Sequence, residues 1–235
     1  MPKSQLTESR LLASKEEIAQ LSRRKFLGFA GAATGLIVVA SSCKKETTAS
    51  KSTLDGVDLG SGDPGILNYA YALEQLEAAF YTQVIMSQYS GITAAETSYL
   101  TDIRDHEVAH REFFKNALAT GAIAALEVDF SSIDFGSRAS VLATAQAFED
   151  LGVTAYNGAG RLITSPDYLV LAGKIVSVEA RHAALIRELV KPGSFADDTA
   201  LDANALDGAR KPLDVLAIAG KYIKTKINAS NLPTY

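Results

Sequence analysis

One cysteine in 235 residues excludes both a disulfide framework and a thiolate metal cluster. Glycine and proline are sparse, at 17 and 6, and no tract is of low complexity, so collagen-like and disordered classes are set aside. Basic charge is also short. With 23 Lys and Arg against 27 Asp and Glu, the net charge is -4, and the chain lacks the basic face that releases counterions from phosphate; no nucleic-acid partner is expected. The uncharged apolar run Phe26 to Ala40 is too short for a membrane span, rising about 22 Å as a helix against a hydrocarbon core of about 30 Å. What is present is 47% hydrophobic and 21% charged, the make-up of one domain or two small ones with a real core.

The N-terminus carries its own program. Ser22-Arg23-Arg24-Lys25-Phe26-Leu27 followed by that apolar run resembles a twin-arginine export signal, with residues 1–42 as the segment to be removed. Cys43 follows Val39-Ala40-Ser41-Ser42, which is similar to a lipoprotein cleavage site, although Ala40-Ser41-Ser42 also suits ordinary signal cleavage. Export to the periplasm or cell envelope is expected either way, with the membrane contacted only through a lipid on Cys43. Residues 1–42 hold six basic and three acidic side chains, so the processed chain carries -4 minus 3, or -7. Residues 43–62 are polar and aperiodic and read as a tether.

From Asp63 onward the apolar spacing is helical, and no stretch alternates with period two. Asp63-Pro64 reads as an N-cap with proline behind it, Thr93-Ala-Ala-Glu96 as a capping box, and Ser165-Pro166 as a second cap and proline. Helices are therefore expected at about 63–89, 93–120, 137–160 and 166–190, with a shorter one from Pro212 to about Asn228. Two joins are short and make antiparallel hairpins, whereas Gly121 to Gly136 is long enough to run the height of a bundle. The fold expected is all-α: a four-helix bundle over 63–190, built from two hairpins and one crossover, with a C-terminal extension over 191–235.

Two of the three histidines sit three residues after a glutamate, in Glu107-Val-Ala-His110 and Glu179-Ala-Arg-His182. With 13 glutamates in the chain, that coincidence has a chance on the order of 1%. Residues three apart share a helix face, so each pair can grip an ion from one side. The other two long helices each carry a glutamate and, two turns later, a tyrosine: Glu74 and Tyr81, Glu149 and Tyr156. All four glutamates fall about 16 to 21 Å into their helices, so they converge at mid-height. Four buried carboxylates without counter-charge would be prohibitive, and two divalent cations would neutralise them. Glu77 shares the face of Glu74, but its counterpart in the second half is Gly152, which favours Glu74 as the ligand. His106 points about 100° away from Glu107 and reads as a solvated or outer histidine.

The order Glu, Glu-x-x-His, Glu, Glu-x-x-His resembles the dinuclear carboxylate site of the ferritin-like superfamily. The resemblance implies Glu74, Glu107, His110, Glu149, Glu179 and His182 as ligands, Glu107 and Glu179 bridging, and Tyr81 and Tyr156 holding carboxylates from outside. Glu179-Ala-Arg-His182 is also similar to the Glu-x-Arg-His variant of di-iron oxidases, which implies Arg181 as an outer hydrogen-bond donor. Asn68 to Tyr81 resembles the opening helix of desiccation-related ferritin-like proteins.

The expected cofactors are two iron ions, or manganese, since carboxylates with two imidazoles suit both. Oxygen or peroxide would be the substrate, in oxidative stress or metal handling. The alternative is a non-catalytic metal-binding or structural envelope protein. A rubrerythrin-type module is excluded because no cysteine follows Cys43. A storage cage would be hindered by a lipid on every subunit, while a smaller homo-oligomer is compatible. Leu213, Leu216, Ile218, Ile223 and Ile227 are expected to pack the last helix on the bundle or a partner.

Overall fold

The computed structural model describes residues 55–235; the expected export signal, Cys43 and most of the tether lie outside them. Among the described residues the order is β1 (Val57–Asp58), α1 (Gly62–Met86), α2 (Ala94–Leu118), α3 (Arg138–Gly160), α4 (Pro166–Val190), α5 (Pro212–Ala219) and β2 (Ile227–Asn228). The architecture is a four-helix bundle with a short C-terminal helix. α1 packs along α2 and α3 along α4, forming two hairpins joined chiefly where α1 meets α3. No helix among the described residues is long and apolar enough to cross a membrane.

Local chemistry starts the helices. Thr93 Oγ1 accepts from Glu96 N–H at 3.1 Å while the Glu96 carboxylate accepts from Thr93 N–H at 3.0 Å, completing the capping box of α2. Ser165 caps α4, with Pro166 at its first position. Asp63 behaves differently from expectation. Helix α1 begins one residue earlier, with Ser61 as its cap residue, so the Asp63 carboxylate is free to accept from Thr164 N–H, Thr164 Oγ1–H and Ser165 N–H at 2.8–2.9 Å. It ties the start of the first hairpin to the turn of the second.

The crossover is fastened to α1 from two positions one heptad apart. Asn68 donates to the Leu59 and Gly121 carbonyls and accepts from Ile123 N–H, while Gln75 accepts from Leu126 N–H. Phe130 and Phe135 of the crossover pack on Phe80 of α1, which also meets Phe148 of α3. Helix α1 is consequently buried almost all round, and it has no solvent stripe of the kind α2 keeps.

The C-terminal helix is shorter than expected, ending at Ala219 rather than near Asn228. Beyond it a 3-10 turn leads into extended chain: Lys224 N–H bonds the Glu127 carbonyl, and Ile227–Asn228 pairs in parallel with Val57–Asp58. The β-branched run Ile223, Thr225, Ile227 suits that extended path better than a helix. Val57 and Leu59, read as the end of a tether, therefore belong to the folded body, with Leu59 fully buried. Before α5, the chain crosses α3 at Gly158, where an added Cβ would fall 1.7 Å from the Arg210 carbonyl oxygen.

Candidate metal centre

The four glutamates singled out by spacing lie at the middle of the bundle, one from each long helix, and all are fully buried. Each histidine aims its Nδ1 atom into them. His110 Nδ1 is 2.9 Å from Glu179 Oε1, 3.5 Å from Glu74 Oε2 and 3.8 Å from Glu107 Oε2. His182 Nδ1 is 2.9 Å from Glu107 Oε1, 3.5 Å from Glu179 Oε2 and 3.6 Å from Glu149 Oε2. The two lists interchange when the hairpins are swapped, so the internal duplication extends to the geometry.

Two groups of donors result, Glu74, Glu107, His110 and Glu179 on one side and Glu107, Glu149, Glu179 and His182 on the other, each within reach of a single ion. Both contain Glu107 and Glu179. The hydrogen bonds explain this division. Tyr156 Oη–H donates to Glu74 Oε1, and Tyr81 Oη–H donates to Glu149 Oε1 at 2.5 Å, so each of these glutamates keeps one oxygen for the centre. Eight buried atoms find no hydrogen-bond partner outside the cluster itself: one oxygen each of Glu74 and Glu149, both oxygens of Glu107 and Glu179, and the two Nδ1 atoms. Such atoms are costly in a protein interior unless something else satisfies them. Among the described residues no lysine or arginine pairs with these carboxylates. Buried oxygens and imidazole nitrogens with no lysine or arginine charge among them are a cation's ligand set, and the residues present fit one.

The protonation equilibria follow from the same crowding. Burial and then the neighbouring glutamates raise Glu74 well above the usual carboxylate range, and burial likewise lifts Glu149 to about 8. Burial opposes charge on His110 and His182, but the facing carboxylates outweigh it and push both to about 12. Without a cation, protons supply the balancing charge.

The family profile of the ferritin-like domain matches residues 62–192, more than half of the chain and the whole of the bundle. The chain belongs to this family. No curated protein matches it. In this ferritin-like domain the tyrosines cross between hairpins, and these crossings close the α1–α3 seam. Glu77 sits between them, buried, its Oε1 atom 3.2 Å from where a Cβ on Gly152 would stand; it belongs to neither donor group. The opposite seam is less sealed, since the side chain of His110 is 14% exposed and that of His182 5%, while the four glutamates are at 0%.

Arg181 is not brought to the centre. Two residues past Glu179, about 200° round the helix, it is exposed, and no hydrogen bond joins it to the cluster among the described residues. Sequence reasoning left His106 undecided. Its Nδ1 lies 2.9 Å from His182 Nε2, on the far side of that ring from the carboxylates. Nothing in the spacing could choose this contact, because it depends on which side of α2 the fourth helix lies.

Proposed function

We propose that the domain holds two divalent cations, iron or manganese, bridged by Glu107 and Glu179, and that the loaded centre reacts with oxygen or peroxide. The observation that carries the reading is the count of buried atoms that face only one another: eight atoms divide into four per cation only if two glutamates each serve both. When bound, such a pair supplies two one-electron changes, which match the two-electron reduction of peroxide. The chain's own residues do the rest. Tyr81 and Tyr156 hold Glu149 and Glu74 with one oxygen turned inward, and the packed glutamates exclude bulk water. A centre whose glutamates are fully buried, with the His110 side chain only 14% exposed, favours a small oxidant over a bulky organic substrate.

Elemental analysis of protein purified without chelators tests the centre, with two ions per chain expected and none overturning it. Consumption of peroxide or oxygen by the ferrous protein tests the reaction. Bound metal without turnover would leave a metal-binding envelope protein, and peroxide disproportionation by the manganese form would make it a catalase. We also read the domain as exported by a twin-arginine signal and anchored through Cys43. Arg23→Lys with Arg24→Lys should retain it in the cytoplasm, and a soluble, normally trimmed Cys43→Ser product would argue for ordinary cleavage instead.

A further inference from the structure

The two histidine ligands are matched toward the centre and unmatched behind it. His182 Nε2 meets His106 Nδ1 at 2.9 Å, with ring planes 7° apart and centroids separated by 5.1 Å. Near-parallel planes that pass through atoms 2.9 Å apart are closer than stacked rings can pack, so the rings meet edge to edge and the bond runs close to their planes, where lone pairs and N–H vectors point. By the duplication that aligns Glu107 with Glu179, the position matching His106 is Val178, which has no hydrogen-bonding side chain. Among the described residues nothing bonds the Nε2 atom of His110.

Chemistry fixes the direction of that bond once a cation is present. A histidine that ligates through Nδ1 offers a lone pair there and carries its proton on Nε2. The Nε2–H of His182 then donates to His106 Nδ1, leaving the His106 Nε2–H for solvent. His106 lies in the exposed surface of α2, so its ring spans from the buried ligand to the outside. An acceptor behind a ligating imidazole fixes its tautomer and orientation and raises its basicity.

We propose that His106 is a positioning residue for His182 and makes the two cation positions unequal, the one at His182 being the tighter. The proposal rests on the two-cation reading above and adds an order of filling: the pair Glu149–His182 loads first, and Glu74–His110 second, with Glu107 and Glu179 shared.

Anaerobic calorimetric titration of the metal-free protein with Fe2+ tests this. The unaltered chain should give two separable steps. His106→Ala should weaken the tighter step by about 10 to 100-fold and leave the other in place, the usual cost of losing an outer partner. His106→Asn, whose Oδ1 can stand where the ring Nδ1 stood, should recover most of the loss, and Val178→His should tighten the weaker step. NMR of the Zn2+-loaded protein supplies a readout that a packing role would not move: a protected Nε2–H of His182 that broadens into exchange with water in His106→Ala. Two steps that fall equally in His106→Ala, no rescue by asparagine, or a solvent-exchanging Nε2–H in the unaltered protein would overturn the inference while leaving the two-cation centre standing. No binding by the unaltered chain would instead remove the centre itself.

Discussion

The first hairpin, α1 and α2, and the second, α3 and α4, supply the same donors at the same heights, but they differ in what stands around them. The inward atoms interchange one for one, down to the tyrosine each half lends to the other's glutamate. Outside that ring the symmetry ends: Glu77 faces Gly152 across the α1–α3 seam, and His106 backs His182 where Val178 follows the same register. The crossover covers α1, while the C-terminal segment crosses α3 at Gly158. Two like cations, bound as proposed, would constrain the ligands to match, and nothing comparable would constrain their surroundings. Differences between the two positions must arise in those surroundings.

The largest test of the shared part separates bridging from terminal ligands. Glu107→Ala or Glu179→Ala should abolish both ions, and Glu107→Ala with His182→Ala should do so without loss of helical content. Glu74→Ala or Glu149→Ala should remove about one. Metal counts per chain with circular dichroism check this, and equal loss from all four would break the bridging assignment.

Next in size is the response to pH. His110 and His182 are held protonated to about 12 and Glu149 to about 8, so each cation must displace protons at neutral pH. Affinity should fall as pH falls, by about tenfold per pH unit for each proton released. The slope at the Glu149–His182 position should be steeper below about 8, where both ligands are protonated, than above it, where only the histidine is. The metal-free domain should show the opposite trend. Its raised groups stabilise the fold when protonated, Glu149 fully below its unfolded value and the histidines fully below theirs, and that contribution is lost as pH rises toward about 8 and about 12. Glu107, lowered to about 2, loses its own contribution only on acidification. Melting of the apo and loaded forms from pH 5 to 9 checks both signs.

Tyr81→Phe and Tyr156→Phe probe the crossing bonds. Each strips the hydrogen bond from one terminal glutamate, and the expected loss is about 10 to 100-fold in affinity or rate at one position, with the fold retained. If the halves are equivalent here, the two losses agree.

Gly152→Ala tests an asymmetric element. The new methyl would stand 3.2 Å from Glu77 Oε1, and overpacking of this kind costs about 1 to 3 kcal/mol. Glu77→Ala should relieve part of that cost in a double-mutant cycle, because the two substitutions share one contact.

Much of this was legible before the structure. The helix starts at Thr93 and Ser165 could be read because caps are local, and the six converging donors because helical spacing and depth are both carried by the sequence. The misreadings concern partners distant in the chain. Asp63 looked like its own helix's cap but serves the turn at Thr164, about one hundred residues away. The two-residue strands have no period to detect, and only their pairing pulls Ile227 out of the helix its apolar spacing suggested.

Arg181 should show the smallest effect, and for that reason it separates resemblance from geometry. A Glu-x-Arg-His string suggests an arginine bonded behind the ligands, but in this chain the arginine that precedes His182 turns outward and is exposed. A surface side chain without a specific partner changes stability by no more than about 0.5 kcal/mol when truncated. Arg181→Ala should therefore leave melting temperature, metal count and both binding steps unchanged, whereas His106→Ala, also altering an exposed residue, should weaken one step. Calorimetry on the pair under one set of conditions makes the comparison. If Arg181→Ala weakened binding as much as His106→Ala, exposure would not be the reason for either result, and an arginine swung inward in the loaded protein would have to be added to the centre.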